Sequence, residues 1–551
     1  MARTTAFWLV LLATPLLLLG VLEAAARLAF AGRAADDAYL DLVDVPSFLT
    51  EREVEGERFL EVTHPEAYRE RRVRFPARKP EGTVRIFCLG GSASAGWPHP
   101  AAEIHSEYLR HALERSHPDR RFEVLNVSAH AYAAYRVRLL FDEVIDFDPD
   151  VVVLYSGNNE FLERRSYLRD RPGLARLRAL ANRSALFRLL RGVLVRAFYP
   201  ENSLSAQRRE RVRAGVLSKL RRETIALRED PQQFERLKSH YASSIEAMLD
   251  AAHLRGVPVV LATVPVNLRD WRPNASHNGL SDADRERWRE IFDAGRAGLL
   301  RGDPDAAIHW LEQATALEPL HAESIFLLGR AWEARGDFPT ALECYMKARD
   351  LDYNPFRALS HFNHVLREFA AKRPDVFLAD LEAAFLEASA PRAPGFDLLL
   401  DYVHPNQAGN RIIARTLFET LHGAGLLEKP TGSPHFSYEA APFHEDGSPY
   451  DERRDPTLHR ALLGLMLMMH QYEASIAEAR LLASMGSDTP RVRRVLEVFP
   501  AYLELERRRL LGLPFDAAEA ARVEALHRGF YERLAGPRPG APPTPQRPAG
   551  R

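Results

Sequence analysis

The residues that could do chemistry in this chain lie far apart. Ser92 follows a short apolar run, 86–89, and two glycines, Gly90 and Gly91. A hydroxyl at the carboxyl end of a buried parallel strand sits where open α/β sheets carry their sites, and it can act as a nucleophile. Two other readings of RIFCLGGSASAGWPHP compete. A glycine-rich turn after a strand can cradle phosphate, but that pattern asks for Lys and Ser/Thr after its second glycine, and here Trp97-Pro98 follows Gly96. The turn can also be simple punctuation between a strand and a helix. The G-x-S-x-G elbow of the usual α/β-hydrolases is absent.

A serine nucleophile needs a base, an acid to orient it, and donors for the developing oxyanion. The stretch DYVHPNQAG, 401–409, offers Asp401 and His404 just before a helical pattern. That spacing lets the carboxylate turn back onto one imidazole nitrogen while the other faces Ser92. The same four residues also suit a helix N-terminus with a surface histidine. Asn159, in Gly157-Asn158-Asn159-Glu160, ends another apolar run. It could aim its amide at the serine, or serve as a turn asparagine. The turn 128–134 could supply a backbone N–H.

These residues need elements to hold them. Strands are expected at 84–89, 121–127, 151–155, 257–264 and 375–379, with helices near 102–115, 133–146 and 406–422. The alternation predicts an α/β fold with a parallel sheet flanked by helices. Residues 36–83 read as polar and irregular, and 161–255 as Arg-rich and largely helical. Between the fourth and fifth strands the chain repeats itself. An offset of 34 superposes Gly295 on Gly329, Gly302 on Gly336, Ala307 on Ala341 and Ala314 on Ala348. This is the period and small-residue pattern of tetratricopeptide helical hairpins. An ordinary pair of hairpins is the simpler alternative. Residues 455–535 are expected to be helical, and the tail after Gly536 is Pro-rich.

Composition bounds the rest. The chain has 551 residues and a net charge of −1, so nothing global points to nucleic acid. Its two cysteines, Cys88 and Cys344, are expected to be buried thiols. No His/Cys/Asp/Glu cluster has metal-ligand spacing; His240 and His253 are scattered among the rest, and no cofactor is expected. The run 6–22 is almost wholly apolar, with Arg3 before it and Glu23 after it. It reads as a signal anchor in preference to a cleaved signal peptide, with the body exported.

Taken together, the blocks resemble the SGNH, or GDSL-like, hydrolase superfamily. Gly90-Gly91-Ser92-Ala93-Ser94-Ala95-Gly96 is similar to its first block, Gly157-Asn158-Asn159-Glu160 to its third and Asp401-Tyr402-Val403-His404 to its fifth. The likeness extends to membrane-anchored bacterial members that carry tetratricopeptide repeats. Three positions depart from the pattern: Gly91 and Glu160 stand where the family has aspartate, and Ala131 where its second block has glycine. The resemblance implies Ser92, Asp401 and His404 as catalytic residues. It implies an oxyanion hole from the N–H groups of Ser92 and Ala131 and the amide of Asn159. It also implies an esterase acting on an acyl, short-chain or acetyl ester, with an acetylated envelope or exported carbohydrate as one substrate. An SGNH-type O-acetyltransferase and a repeat-based interaction protein with a vestigial hydrolase fold are the alternatives. Trp97 and Arg357 are taken as substrate-binding residues, with His99 and Trp271 as further candidates for the pocket.

The expected organisation is a signal anchor at 1–35, hydrolase domain with a helical insertion at 36–278, repeats at 279–356, the end of the hydrolase domain at 357–428, a helical region at 429–535 and a disordered tail at 536–551. The expected partners are an acyl-ester substrate, the membrane through the N-terminal helix, and a protein on the repeats. The expected location is the bacterial cytoplasmic membrane, single-pass, with the catalytic domain outside the cytoplasm.

Overall fold

The computed structural model describes residues 48–62, 73–162, 216–438 and 449–534, with 14, 18, 20–25 and 186. The expected anchor (most of 6–22), the first half of the Arg-rich region and the Pro-rich tail lie outside the described residues. Among the described residues, no helix is long and apolar enough to cross a membrane. The chain divides into two units, and all that follows concerns the one formed by Phe48–Glu163 and Leu217–Pro537.

That unit opens with a feature the sequence did not announce. Residues 49–76 hold a three-stranded antiparallel meander: β1 (Leu49–Val54), β2 (Glu57–Val62) and β3 (Arg74–Pro76). Strand β1 reads LTEREV and exposes its four central residues, so it lacks the apolar alternation that marks a strand. Its signal is the turn, where Glu55 and Gly56 both take positive φ, 54° and 83°, as a two-residue hairpin of the primed type requires. The meander is tied down by Glu143, which accepts from the Phe48 and Leu49 amides.

The main sheet follows. Its strands are β4 (Thr83–Gly90), β5 (Arg121–Asn126), β6 (Val151–Tyr155), β7 (Val259–Ala262) and β8 (Val376–Ala379). They are all parallel, in the order β5-β4-β6-β7-β8. Strand β7 is shorter than the apolar run around it, 257–264. Pro258 has no N–H to add to a ladder, so pairing of β7 begins only at Val259. All eight residues of β4 are buried, as a strand covered on both faces must be.

Helices supply the cover. After β4 come the single turn α1 (Ser92–Ala95) and α2 (His105–Ser116). Helix α3 (Ala134–Val144) joins β5 to β6, and α4 (Val216–Glu229) and α5 (Pro231–His253) precede β7. Then come α6 (Asp282–Arg301), α7 (Pro304–Leu317), α8 (Ala322–Arg335), α9 (Phe338–Asp350) and α10 (Ser360–Lys372). After β8 lie α11 (Leu381–Ser389) and α12 (Gln407–Gly423). Helices α2, α11 and α12 pack as one group, and α3, α5 and α10 as another. Finally α13 (Pro456–Met468), α14 (Tyr472–Ser484), α15 (Pro490–Leu510) and α16 (Ala517–Leu534) enclose a core that includes Leu467, Leu482, Val495 and Phe499.

The internal repeat is visible as repeated joints. Helices α6 and α7 are joined by Gly302-Asp303, and α8 and α9 by Gly336-Asp337. Both glycines close a helix at positive φ, 72° and 94°, where a side chain would be strained. Both aspartates then open the next helix: Asp303 accepts from the Ala306 amide and Asp337 from that of Thr340. The four helices lie between β7 and β8, as two matched hairpins. Each cap satisfies an otherwise orphaned amide, so Asp303→Ala and Asp337→Ala should each lower stability by about 1 kcal/mol. Urea unfolding of the single variants checks this; no change in either would mean that the caps are idle.

Candidate active site

Ser92 stands where β4 runs into α1. The strand is second in the sheet and flanked by β5 and β6, so its end is fixed from both sides. The two glycines ahead of the serine are needed for approach and not for an unusual φ. Gly91 has φ −88°, which any residue can adopt. A Cβ on Gly90 would lie 2.0 Å from the Tyr155 carbonyl oxygen, and one on Gly91 only 2.1 Å from Nδ2 of Asn159. The absent side chain at 91 is what lets the Asn159 amide lie against the peptide that precedes Ser92.

His404 arrives from the other end of the chain. The loop 399–405 folds back on itself, with Leu399 bridging Pro405 and the Leu400 amide donating to the His404 carbonyl. Asp401, fully buried, is its centre. Its Oδ1 accepts from the amides of Val403 (2.8 Å) and His404 (2.9 Å), and its Oδ2 lies 2.6 Å from His404 Nδ1. A carboxylate can only accept, so Nδ1 carries the proton and Nε2 is left as the acceptor. Nε2 lies 2.8 Å from Ser92 Oγ. A serine and an Asp–His pair whose histidine lies 312 residues beyond it in sequence thus form one continuous hydrogen-bonded line, Ser92–His404–Asp401. Both imidazole nitrogens are committed, so the ring's position and tautomer are set.

The residues expected as oxyanion donors come from the serine's own peptide and from two loops, and Asn159 Nδ2 lies close to Gly91. Ser92 is the first residue of α1, so its N–H has no acceptor within the helix. Asn159 donates one amide hydrogen to the Tyr132 carbonyl at 3.1 Å and keeps a second. Ala131, next to Tyr132, has φ 59°. The turn therefore demands the left-handed region, and alanine occupies it under strain where glycine would not. Glu160 is fully buried and accepts from the Ala134 amide at 2.8 Å, pinning the start of α3 just beyond this turn.

The further candidates divide. Trp97 is half-buried, and its ring meets the His404 ring edge-on with centroids 4.5 Å apart, so it stands beside the line. Arg357 does not line a pocket. It is 1 % exposed and its guanidinium donates to the carbonyls of Asn267 (2.6 Å) and Trp271 (3.2 Å), with Asp352 at 3.8 Å. Trp271 is also fully buried, its ring tilted by 43° against that of Tyr402 with centroids 5.2 Å apart. His99 lies buried behind the histidine loop, its Nε2 donating to the Pro405 carbonyl at 3.0 Å. All three support the site from within. Polarity and position near a block cannot distinguish a wall of a pocket from a strut behind it.

Other supports had no local signal. Glu452, from the segment before α13, accepts from the Gln407 amide at the start of α12, three residues after His404. The Gln407 side chain donates to buried Glu103. Asn267 donates to the Asp401 carbonyl at 3.1 Å. Each contact joins residues far apart in sequence. Among the described residues no group of three or more His, Cys, Asp and Glu is arranged to hold a metal ion. The cysteines take no part: both are free, and burial pushes the thiol of Cys88 up to about 12 and that of Cys344 up to about 11.

No protein-family model matches the chain, and no curated protein does. Similar solved structures carry names of ester-cleaving enzymes. The acetyl xylan esterase AlAXEase is 11 % identical at a TM-score of 0.28, covering 61 % of this chain and 98 % of its own. The lipase Lip_vut3 from a goat rumen metagenome is 11 % identical at 0.28, covering 62 % and 98 %. Axe2, an acetylxylan esterase from Geobacillus stearothermophilus, is 12 % identical at 0.28, covering 64 % and 97 %. Those values are too low to carry an argument, and the chemistry assigned to Ser92 rests on its own surroundings.

The tight fit at Gly91 gives a direct test. Gly91→Ala should swing the Asn159 amide away from the Tyr132 carbonyl and cost about 1–3 kcal/mol, as overpacking does. A crystal structure of the variant with Asn159 unmoved would contradict it. At the neighbouring turn, Ala131→Gly should relieve the left-handed strain and raise stability by up to about 1 kcal/mol, read as a higher urea midpoint.

Proposed function

We propose that this chain is a serine esterase of the SGNH type, which hydrolyses an acyl ester through an acyl-enzyme. One observation carries the reading: the continuous line from Ser92 Oγ through His404 to buried Asp401, with both imidazole nitrogens committed. Ser92 Oγ attacks the ester carbonyl while His404 Nε2 takes its proton. Asp401 steadies the imidazolium and does not itself need the proton. The carbonyl oxygen becomes an oxyanion, and the N–H groups of Ser92 and Ala131 and the free hydrogen of Asn159 are its donors. Collapse expels the alcohol, which receives the proton from His404. Water then attacks the acyl-enzyme, giving its proton to His404, and Ser92 leaves as the hydroxyl with that proton restored.

The acyl group is short, acetyl being the first choice. Ser92 is only 9 % exposed, and the Trp97 ring against His404 narrows the approach. The alcohol side is an acetylated carbohydrate of the envelope or an exported polymer, with Trp97 the side chain set to meet it. The apolar run 6–22 as a membrane anchor, the body outside the cytoplasm, and the hairpins α6–α9 as tetratricopeptide repeats that take a protein partner belong to the same proposal. The first rests on the run's length, and the last on the matched period of the joints.

The test uses the full chain and short-chain acyl esters. Hydrolysis should be lost in Ser92→Ala and reduced by about 10²–10³ in Asn159→Ala, as for one oxyanion donor. An Ser92→Ala variant as active as the parent would refute the assignment. With acetylated oligosaccharide, mass spectrometry should find free acetate; acetyl appearing on an added sugar with little acetate released would make the protein a transferase.

A further inference from the structure

Arg357 is placed where it can do more than fill space. The segment 350–360, which closes the helical hairpins, reaches both loops of the candidate site. On one side the Ala358 amide donates to Asn158 Oδ1 at 2.9 Å, next to Asn159. On the other, Arg357 Nη1 donates to the Asn267 carbonyl at 2.6 Å. Asn267 in turn donates from its side chain to the Asp401 carbonyl at 3.1 Å, and from its backbone to the Tyr402 carbonyl at 3.0 Å. Asn267 thus links Arg357 to the backbone of the residue whose carboxylate orients His404.

The segment is built to hold this position. Asp352, also fully buried, accepts from the amides of Asn274 (2.9 Å), Ala275 (3.0 Å) and Asn354 (2.8 Å) and faces the guanidinium. Phe356 has φ 40° and is buried, a conformation a bulky residue keeps only when its surroundings impose it. Strain of that kind, beside a buried arginine, marks a place where the chain's course is constrained for a reason. Burial draws the Arg357 guanidinium down to about 10, which still leaves it cationic in neutral solution.

We propose that Arg357 is a positioning residue: with Asn267 it forms a clasp that fixes the Asp401–His404 loop to the end of the helical hairpins, while Ala358 fixes the Asn159 loop to the same point. The proposal rests on the esterase reading for its effect on rate, but not for its effect on the loop. The clasp sets the distance between acid and base on one side and oxyanion donor on the other. Loosening it misplaces groups that must align to a fraction of an ångström, and a shift of that size costs rate more than binding.

The test compares Arg357→Met, Arg357→Lys and Asn267→Ala with the parent in the full chain. Arg357→Met and Asn267→Ala should each lower kcat by roughly tenfold or more with KM within about twofold, and Arg357→Lys should recover part of the loss. The deciding readout is independent of turnover: the far-downfield proton resonance of the short His404–Asp401 hydrogen bond. It should move or broaden in Arg357→Met and Asn267→Ala. Leu482→Ala, a cavity in the core of the C-terminal helices, supplies a destabilised control in which it should stay put. A resonance unmoved in both clasp variants overturns the proposal, as does an equal shift in the control. Should Arg357→Met fail to fold, Asn267→Ala carries the same comparison. A parent without esterase activity would sink the functional reading and leave the resonance to judge the clasp.

Discussion

The structure of the site depends on one buried carboxylate. Asp401 has no exposed surface, and a charge so placed is tolerated only if donors surround it. It finds three: the amides of Val403 and His404 and the ring of His404. The first two force the backbone to turn back at once, and the third follows from that turn. The loop thus cannot satisfy its acid without presenting its histidine. What reaches Ser92 is the remaining nitrogen of a ring already held by the other.

Everything else around the serine can be read as a consequence of bringing that ring to β4. In front, the peptide of Gly91 must come close to Asn159, so position 91 can carry no side chain. The turn that supplies Tyr132 to Asn159 bends through Ala131 in the left-handed region, and Glu160 holds its far side. Behind, His99 takes the Pro405 carbonyl, and Glu452 and Gln407 fasten the first turn of α12. The front is tight and bends through a left-handed alanine, while the back is held mainly by hydrogen bonds. Strain is kept only where the surroundings impose the geometry, at Ala131 in front and at Phe356 behind.

How much of this could be read in advance follows the range of the interactions. Four of the five parallel strands were legible as short apolar runs and β5, RFEVLN, by its partial alternation, while the main helices were legible because their periods are local. Ser92, Asp401, His404 and Asn159 were legible as residue types at strand and helix ends. The meander β1–β3 was not, because β1 is charged along most of its length and its only mark is a Glu-Gly turn. Arg357, Trp271 and His99 were read as pocket residues because a sequence gives polarity and aromaticity but not the direction a side chain takes. Asn267 and Glu452 had no signal at all: a single asparagine or glutamate gains its meaning from a partner 134 or 45 residues away.

The place of the hairpins in the chain explains why the back of the site needs so much support. They leave the sheet after β7 and return before β8, whose parallel pairing fixes the end at which the chain must exit. That is the carboxyl end, where Ser92 also lies. Residues on the way out, Asn267 and Trp271, and on the way back, Asp352 and Arg357, are joined there by buried hydrogen bonds. Apolar packing alone could join the two segments too, but without fixing a direction. Hydrogen bonds from a guanidinium to two carbonyls fix both distance and orientation, which is what a loop carrying an acid and a base requires.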